Sequence, residues 1–135
     1  MADDVATEVA TVITPEAVAS FLSRCTRAPQ RFLYPCNAKD RAPQNCCYSF
    51  RRADGAIARV IICECEYTEG GTGWRVWPCA LLLCCWLAMH EDVLRGTSVL
   101  ELGCGLGLPG QAAAALGASS AAVSDCLPQL LATCR

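Results

Sequence analysis

The chain has 135 residues, 53% hydrophobic and 18% charged, with a formal net charge of −2. That length suits one small domain, and that apolar fraction is too high for extended disorder. A slightly acidic chain without a basic stripe argues against nucleic acid as a partner. Arg51-Arg52, the one adjacent pair of bases, reads as part of a solvated strand or turn.

Twelve cysteines raise the question of a disulfide scaffold or a metal site. The N-terminal Met1-Ala2-Asp3-Asp4 is acidic, with no apolar run behind a basic region and no enrichment in arginine. It therefore predicts neither a secretory signal nor a mitochondrial transit segment. The cysteines are expected to be reduced thiols acting as small apolar residues. Cys46-Cys47, Cys63-x-Cys65 and Cys84-Cys85 lack the Cys-x-x-Cys spacing of structural zinc sites, so no metal is predicted. The apolar run Cys79–Met89, bracketed by Arg75 and Glu91, is far shorter than the ~20 residues that span a bilayer. It predicts a buried helix, and no membrane partner.

In chain order, residues 1–13 read as a weakly structured tail. Thr14-Pro15-Glu16 combines a hydroxyl N-cap, a first-turn proline and an acid, and predicts a helix to about Cys25. Prolines 29, 35 and 43 mark residues 26–45 as irregular linker. Tyr48-Ser49-Phe50 opens a strand, Asp54-Gly55 turns a hairpin, and Ile57–Glu66 returns. A glycine-rich loop, Thr68–Gly73, leads through Trp77-Pro78 into a helix over 78–94, with Gly96 at its exit. Ser98–Leu102 is a strand, Leu108–Leu116 an alanine-rich helix ended by Gly117, Ser120–Ser124 a second strand, and Leu127–Arg135 the start of another helix. The expected architecture is α/β, a βαβ unit preceded by a helix and a β-hairpin. The domain division is 1–45, tail, helix and linker, then 46–135.

The segment Gly103-Cys104-Gly105-Leu106-Gly107-Leu108-Pro109-Gly110 between strand and helix fits two patterns. Gly103-x-Gly105-x-Gly107 suits a methyltransferase loop, and Gly105-x-Gly107-x-x-Gly110 suits a dinucleotide fingerprint. Either way, glycines let the backbone approach a ligand at the carboxyl end of the strand. Glu101 lies within the strand, where a dehydrogenase usually holds only apolar residues. Asp125 ends the next strand, where a carboxylate can accept hydrogen bonds from both ribose hydroxyls of either cofactor. Each residue also has a bland reading: Trp77 as core packing, the glycines as a tight turn, Asp125 as a helix cap.

Together, Val76-Trp77-Pro78-Cys79-Ala80, Val99–Gly105, Leu108-Pro109-Gly110 and Ser124-Asp125 resemble the S-adenosylmethionine-dependent protein methyltransferase family that includes many lysine methyltransferases. The Trp-Pro-Cys-Ala and Leu-Pro-Gly segments are most similar to a subgroup linked to histone arginine methylation, although that subgroup often has serine where this chain has Gly107. The resemblance covers about residues 46–135. It implies a Rossmann-like class I fold with S-adenosylmethionine as cofactor. It also implies that Trp77 packs on the cofactor, that Gly103, Cys104 and Gly105 line its methionine end, that Asp125 holds its ribose, and that Glu101 orders the loop or reaches the cofactor through water. The implied substrate is a protein, with arginine or lysine, including histone side chains, as acceptor. The implied location is cytoplasm or nucleus.

The resemblance also implies a seven-stranded sheet, of which the sequence supplies the first half. The chain is therefore expected to be an incomplete or inactive fragment, with an open edge at Ser98–Leu102 and no nameable catalytic or acceptor-orienting residue. Two other classes stay open: a non-catalytic remnant that binds a partner through that edge, and a nicotinamide-dependent oxidoreductase.

Overall fold

The computed structural model describes residues 9–13, 16, 45–65 and 71–134. The strands are β1 (Val9–Ile13), β2 (Asn45–Arg51), β3 (Ile57–Cys63), β4 (Ser98–Leu102) and β5 (Ser120–Ser124); the helices are α1 (Pro78–Met89), α2 (Leu108–Ala115) and α3 (Pro128–Thr133). Single 3-10 turns occupy Gly71–Gly73 and Glu91–Val93. The predicted helix from Thr14 to Cys25 lies outside the described residues except for Glu16, and so do most of the 26–45 linker and the first part of the Thr68–Gly73 loop.

The hairpin forms around Asp54-Gly55. β2 and β3 pair antiparallel from Asn45 opposite Cys63 to Arg51 opposite Ile57. Gly55 has φ +85°, and the Asp54 Oδ1 accepts the Ala56 N–H at 2.9 Å. β3 alternates strictly, with Ala58, Val60 and Ile62 buried and the residues between them exposed, as expected of a strand covered on one face. Residues 9–13, read as tail, instead form β1, which pairs parallel with β2 from Val9–Cys46 to Ile13–Phe50. The run Val-Ala-Thr-Val-Ile is rich in β-branched residues, which favour strands. Its partner lies far ahead in the chain, so local pattern gave no sign of the pairing.

β4 and β5 run parallel in register, Ser98–Ser120 to Leu102–Ser124, and α2 connects them. Among the described residues β4 has this one ladder neighbour, and Leu100 and Leu102 are 62% and 75% exposed. α2 lies between the two sheets, packing on β3, β4, β5 and α1. Its fully buried Ala112 and Ala113 let the helix axis approach closely, while Leu108 and Leu116 lock its two ends into a core with Phe50, Ile62 and Leu130. Each of these large side chains is at most 1% exposed, and such burial contributes about 1.5–3 kcal/mol apiece.

α1 departs from the sequence reading in length and burial. It ends at Met89 rather than at residue 94, and only Cys84 and Cys85 are fully buried; Leu83, Trp86 and Met89 are exposed. The stop has a tertiary cause. Glu91 is 5% exposed and turns away to accept the Ala53 N–H at 2.8 Å and to pair with Arg52 Nη2 at 3.5 Å. Arg52, read as solvated, also donates from Nη1 to the Ala115 carbonyl at 3.0 Å, placing a cation at the C-terminus of α2 where the helix dipole favours it. Arg52 and Glu91 thus tie the hairpin turn to the ends of both helices. Gly96, with φ +73°, lies beyond the Glu91–Val93 turn. No helix among the described residues is long and apolar enough to cross a membrane.

Candidate cofactor site

At the carboxyl ends of β4 and β5 a cleft of about 1090 Å3 opens between the Thr72–Ala80 segment and the glycine loop. Drug-sized ligands fill pockets of roughly 300–1,000 Å3, so the space is large enough to take one. Trp77, Glu101, Gly103, Cys104, Gly105 and Asp125 all line it.

The loop is built from left-handed glycines. Gly105 has φ +54°, and a Cβ there would stand 3.4 Å from the Gly73 carbonyl oxygen. The two backbones therefore touch across the cleft floor. Gly73 is constrained from the other side, because its own Cβ would meet Leu130 Cδ1 at 2.5 Å. In the sequence the glycines before Trp74 read as a loop with no link to the site; the contact that explains them joins segments some thirty residues apart.

Glu101 has a defined local partner. Its Oε2 accepts the Gly110 N–H at 2.7 Å. The N-cap of α2 is Gly107, which has no side chain to cap with; the β4 carboxylate satisfies one of the first-turn N–H groups in its place. Gly110 must be glycine for the same reason, since a Cβ would meet Val123 Cγ1 at 2.6 Å and Glu101 Oε2 at 2.9 Å. Burial pushes the Glu101 carboxyl above the usual carboxylate range, and the Gly110 bond offsets part of that.

Asp125 closes the loop from β5. Its Oδ2 accepts the Gly105 N–H at 2.8 Å and its Oδ1 accepts the Leu127 N–H at 3.0 Å. The second bond is an Asx turn before α3, whose N-cap is Leu127, so Asp125 is not the cap itself. Burial acts to raise its pKa, but the N–H groups of Gly105, Leu127 and Cys126 outweigh it, and the carboxyl is held below its ordinary value. It is an anion at neutral pH.

Cys104 is buried, with Sγ 3.6 Å from the Gly105 carbonyl oxygen. Burial first, then the neighbouring Cys134 and Glu101, push its thiol up to about 12, so it lines the site as an uncharged group. Trp77 sits at the N-cap of α1, ahead of Pro78, and is 37% exposed. Its Nε1 donates to the Thr72 carbonyl at 2.8 Å, which fixes the ring at the cleft edge. No group of His, Cys, Asp and Glu among the described residues could hold a metal ion.

The family described as lysine methyltransferase matches residues 59–131. The histone-arginine methyltransferase METTL23 of Rattus norvegicus is 47% identical over 84 residues, covering 61% of this chain and 36% of the relative. That of Xenopus laevis is 41% identical over 96 residues, covering 65% and 38%. The protein N-lysine methyltransferase METTL21A of Danio rerio is 46% identical over 54 residues, covering 40% and 25%. The matched stretch thus spans 36% and 38% of the length of these two METTL23 relatives. Because the family match runs from β3 into α3 and takes in more than half of the residues, the chain belongs to the lysine methyltransferase family.

Proposed function

We propose that this chain carries the cofactor-binding part of an S-adenosylmethionine-dependent protein methyltransferase, with residues 46–135 as the methyltransferase portion. The observation that carries the proposal is the meeting of Trp77, the Gly103–Gly105 backbone and the Asp125 anion in one cleft at the carboxyl ends of two parallel strands, the position where open α/β sheets bind nucleotides. When bound, S-adenosylmethionine supplies a methyl group already activated by its sulfonium. Asp125, ionised and facing the cleft, would accept hydrogen bonds from the ribose hydroxyls; the Cβ-free loop would let the amino-acid end lie against the backbone; and Trp77 would cover the ligand and exclude water. Residues of this kind accelerate transfer by alignment rather than by covalent chemistry.

The acceptor proposed is a lysine or arginine side-chain nitrogen of a protein. The likeness to METTL23 favours a histone arginine, which in turn favours the nucleus, with the cytoplasm as alternative. Titration calorimetry tests the cofactor. S-adenosylhomocysteine should bind the chain, NAD should not, and Asp125→Ala should weaken S-adenosylhomocysteine by about ten-fold or more, the scale of a lost charge-assisted hydrogen bond. Binding of NAD in preference to S-adenosylhomocysteine, or of neither, would overturn the proposal.

A further inference from the structure

We propose that Arg75 is the counter-ion for the α-carboxylate at the amino-acid end of the cofactor, an inference that rests on the cofactor assignment above. Among the described residues the cleft has three charged lining residues: Glu101 and Asp125 are acids, and Arg75 supplies the one positive charge. A ligand bearing a sulfonium, an ammonium and a carboxylate is oriented by such a distribution. Its cationic groups are repelled from Arg75, and its carboxylate is drawn there.

Arg75 lines the cleft on the segment that approaches the glycine loop. Gly73, two residues earlier, packs its backbone on Gly105, so the segment carrying Arg75 faces the loop assigned to the amino-acid end. Asp125, assigned to the ribose, reaches the same loop from β5.

The guanidinium is also preorganised. Its side chain is 11% exposed, its Cζ lies 4.0 Å from the centroid of the buried Trp74 ring, and its Nε is 3.9 Å from Oε1 of Glu64, itself 6% exposed. Stacking and the ion pair hold the planar group in one orientation, and burial limits screening of its charge. Five N–H donors in a rigid fork allow a guanidinium to serve more than one acid, which an ammonium does less well.

The test compares two thioether ligands in titration calorimetry: S-adenosylhomocysteine, and the analogue S-adenosyl-3-thiopropylamine, which keeps the amine and lacks the carboxylate. The wild-type chain should prefer S-adenosylhomocysteine. Arg75→Met and Arg75→Gln should each weaken S-adenosylhomocysteine by about ten-fold and leave the analogue within about two-fold. Unchanged binding of the analogue reports that the variant site is folded, and the glutamine variant carries the test should the methionine variant misfold. Equal weakening of both ligands would mean that Arg75 acts only by packing on Trp74 and Glu64, and would overturn the inference, as would unaltered binding of S-adenosylhomocysteine. A wild-type chain that binds neither ligand is a different result: it overturns the cofactor assignment itself.

Discussion

Glu101, in the fourth position of β4, receives the Gly110 N–H from the first turn of α2 in a 2.7 Å hydrogen bond. The bond sets the angle at which the strand hands over to the helix, and thereby the shape of the loop between them. Removing the carboxylate leaves a donor without its partner beneath the cleft. Glu101→Ala should therefore lower stability in urea denaturation by about 1–3 kcal/mol, and Glu101→Gln, which keeps an acceptor, by less. Equal stability of the alanine variant would show that the bond contributes nothing net.

Two glycines of the same segment should respond differently to alanine. At Gly110 the added Cβ collides with Val123 and Glu101, and overpacking of that kind costs about 1–3 kcal/mol. At Gly103 the Cβ meets nothing within 4 Å, but φ is +63°, so the cost is backbone strain of roughly 1–2 kcal/mol. Gly103→Ala should remain folded by circular dichroism and lose affinity for S-adenosylhomocysteine; Gly110→Ala should lose mainly stability. Two variants with matching profiles would contradict this division.

Much of this segment was legible in the sequence. Ser98–Leu102, Leu108–Ala115 and Ser120–Ser124 lie where glycine punctuation and short apolar runs put them, because their boundaries are set locally. What escaped was set at a distance. The end of α1 could not be read from Cys79–Met89, which is apolar all round and has no period to interrupt; it depends on Glu91 meeting Ala53 and Arg52. β1 depends on a partner beyond the 26–45 segment. Trp77, Glu101, the glycines and Asp125 stood out through the spacing of known motifs, whereas Arg75 belongs to none, and only its place in the cleft wall draws attention to it.

Asp125 gives the pH dependence its sign. Its pKa is lower in the folded chain than in the unfolded one, so its contribution to stability is fully present above the unfolded value of about 3.9 and is lost as pH falls through the folded value. Wild type should lose stability on acidification below about pH 4, and Asp125→Asn should be less stable at pH 7 yet show a flatter decline. Denaturation midpoints at pH 7, 4 and 3 measure this; parallel curves for the two proteins would exclude Asp125 as a source. Glu101 works in the opposite direction, since its raised pKa contributes stability at low pH that is lost as pH rises through the folded value, and Glu101→Gln should remove that part of the pH dependence.

Cys104 should be an inert thiol despite its place in the cleft. With its pKa pushed up to about 12, the reactive thiolate is scarce at pH 7.5. Iodoacetamide labelling followed by mass spectrometry should modify the exposed Cys63, Cys79 and Cys126 well before Cys104. Labelling of Cys104 at their rate would show that the loop opens readily.

The exposed side of β4 makes the last prediction. Leu102 is 75% and Leu100 62% exposed, on a strand with one ladder neighbour among the described residues. An apolar strand with unpaired backbone groups pairs readily with other chains, and natural sheets oppose this with lysine at such edges. Leu100→Lys should therefore raise the concentration at which the chain stays monomeric in sedimentation velocity, at a stability cost within about 0.5 kcal/mol, because a side chain this exposed buries little on folding. The substitution lies on the cleft wall, so S-adenosylhomocysteine titration runs alongside it. Self-association unchanged by the lysine would show that the β4 edge is not what brings chains together. Loss of stability on the scale of a core substitution would show that Leu100 is covered in solution.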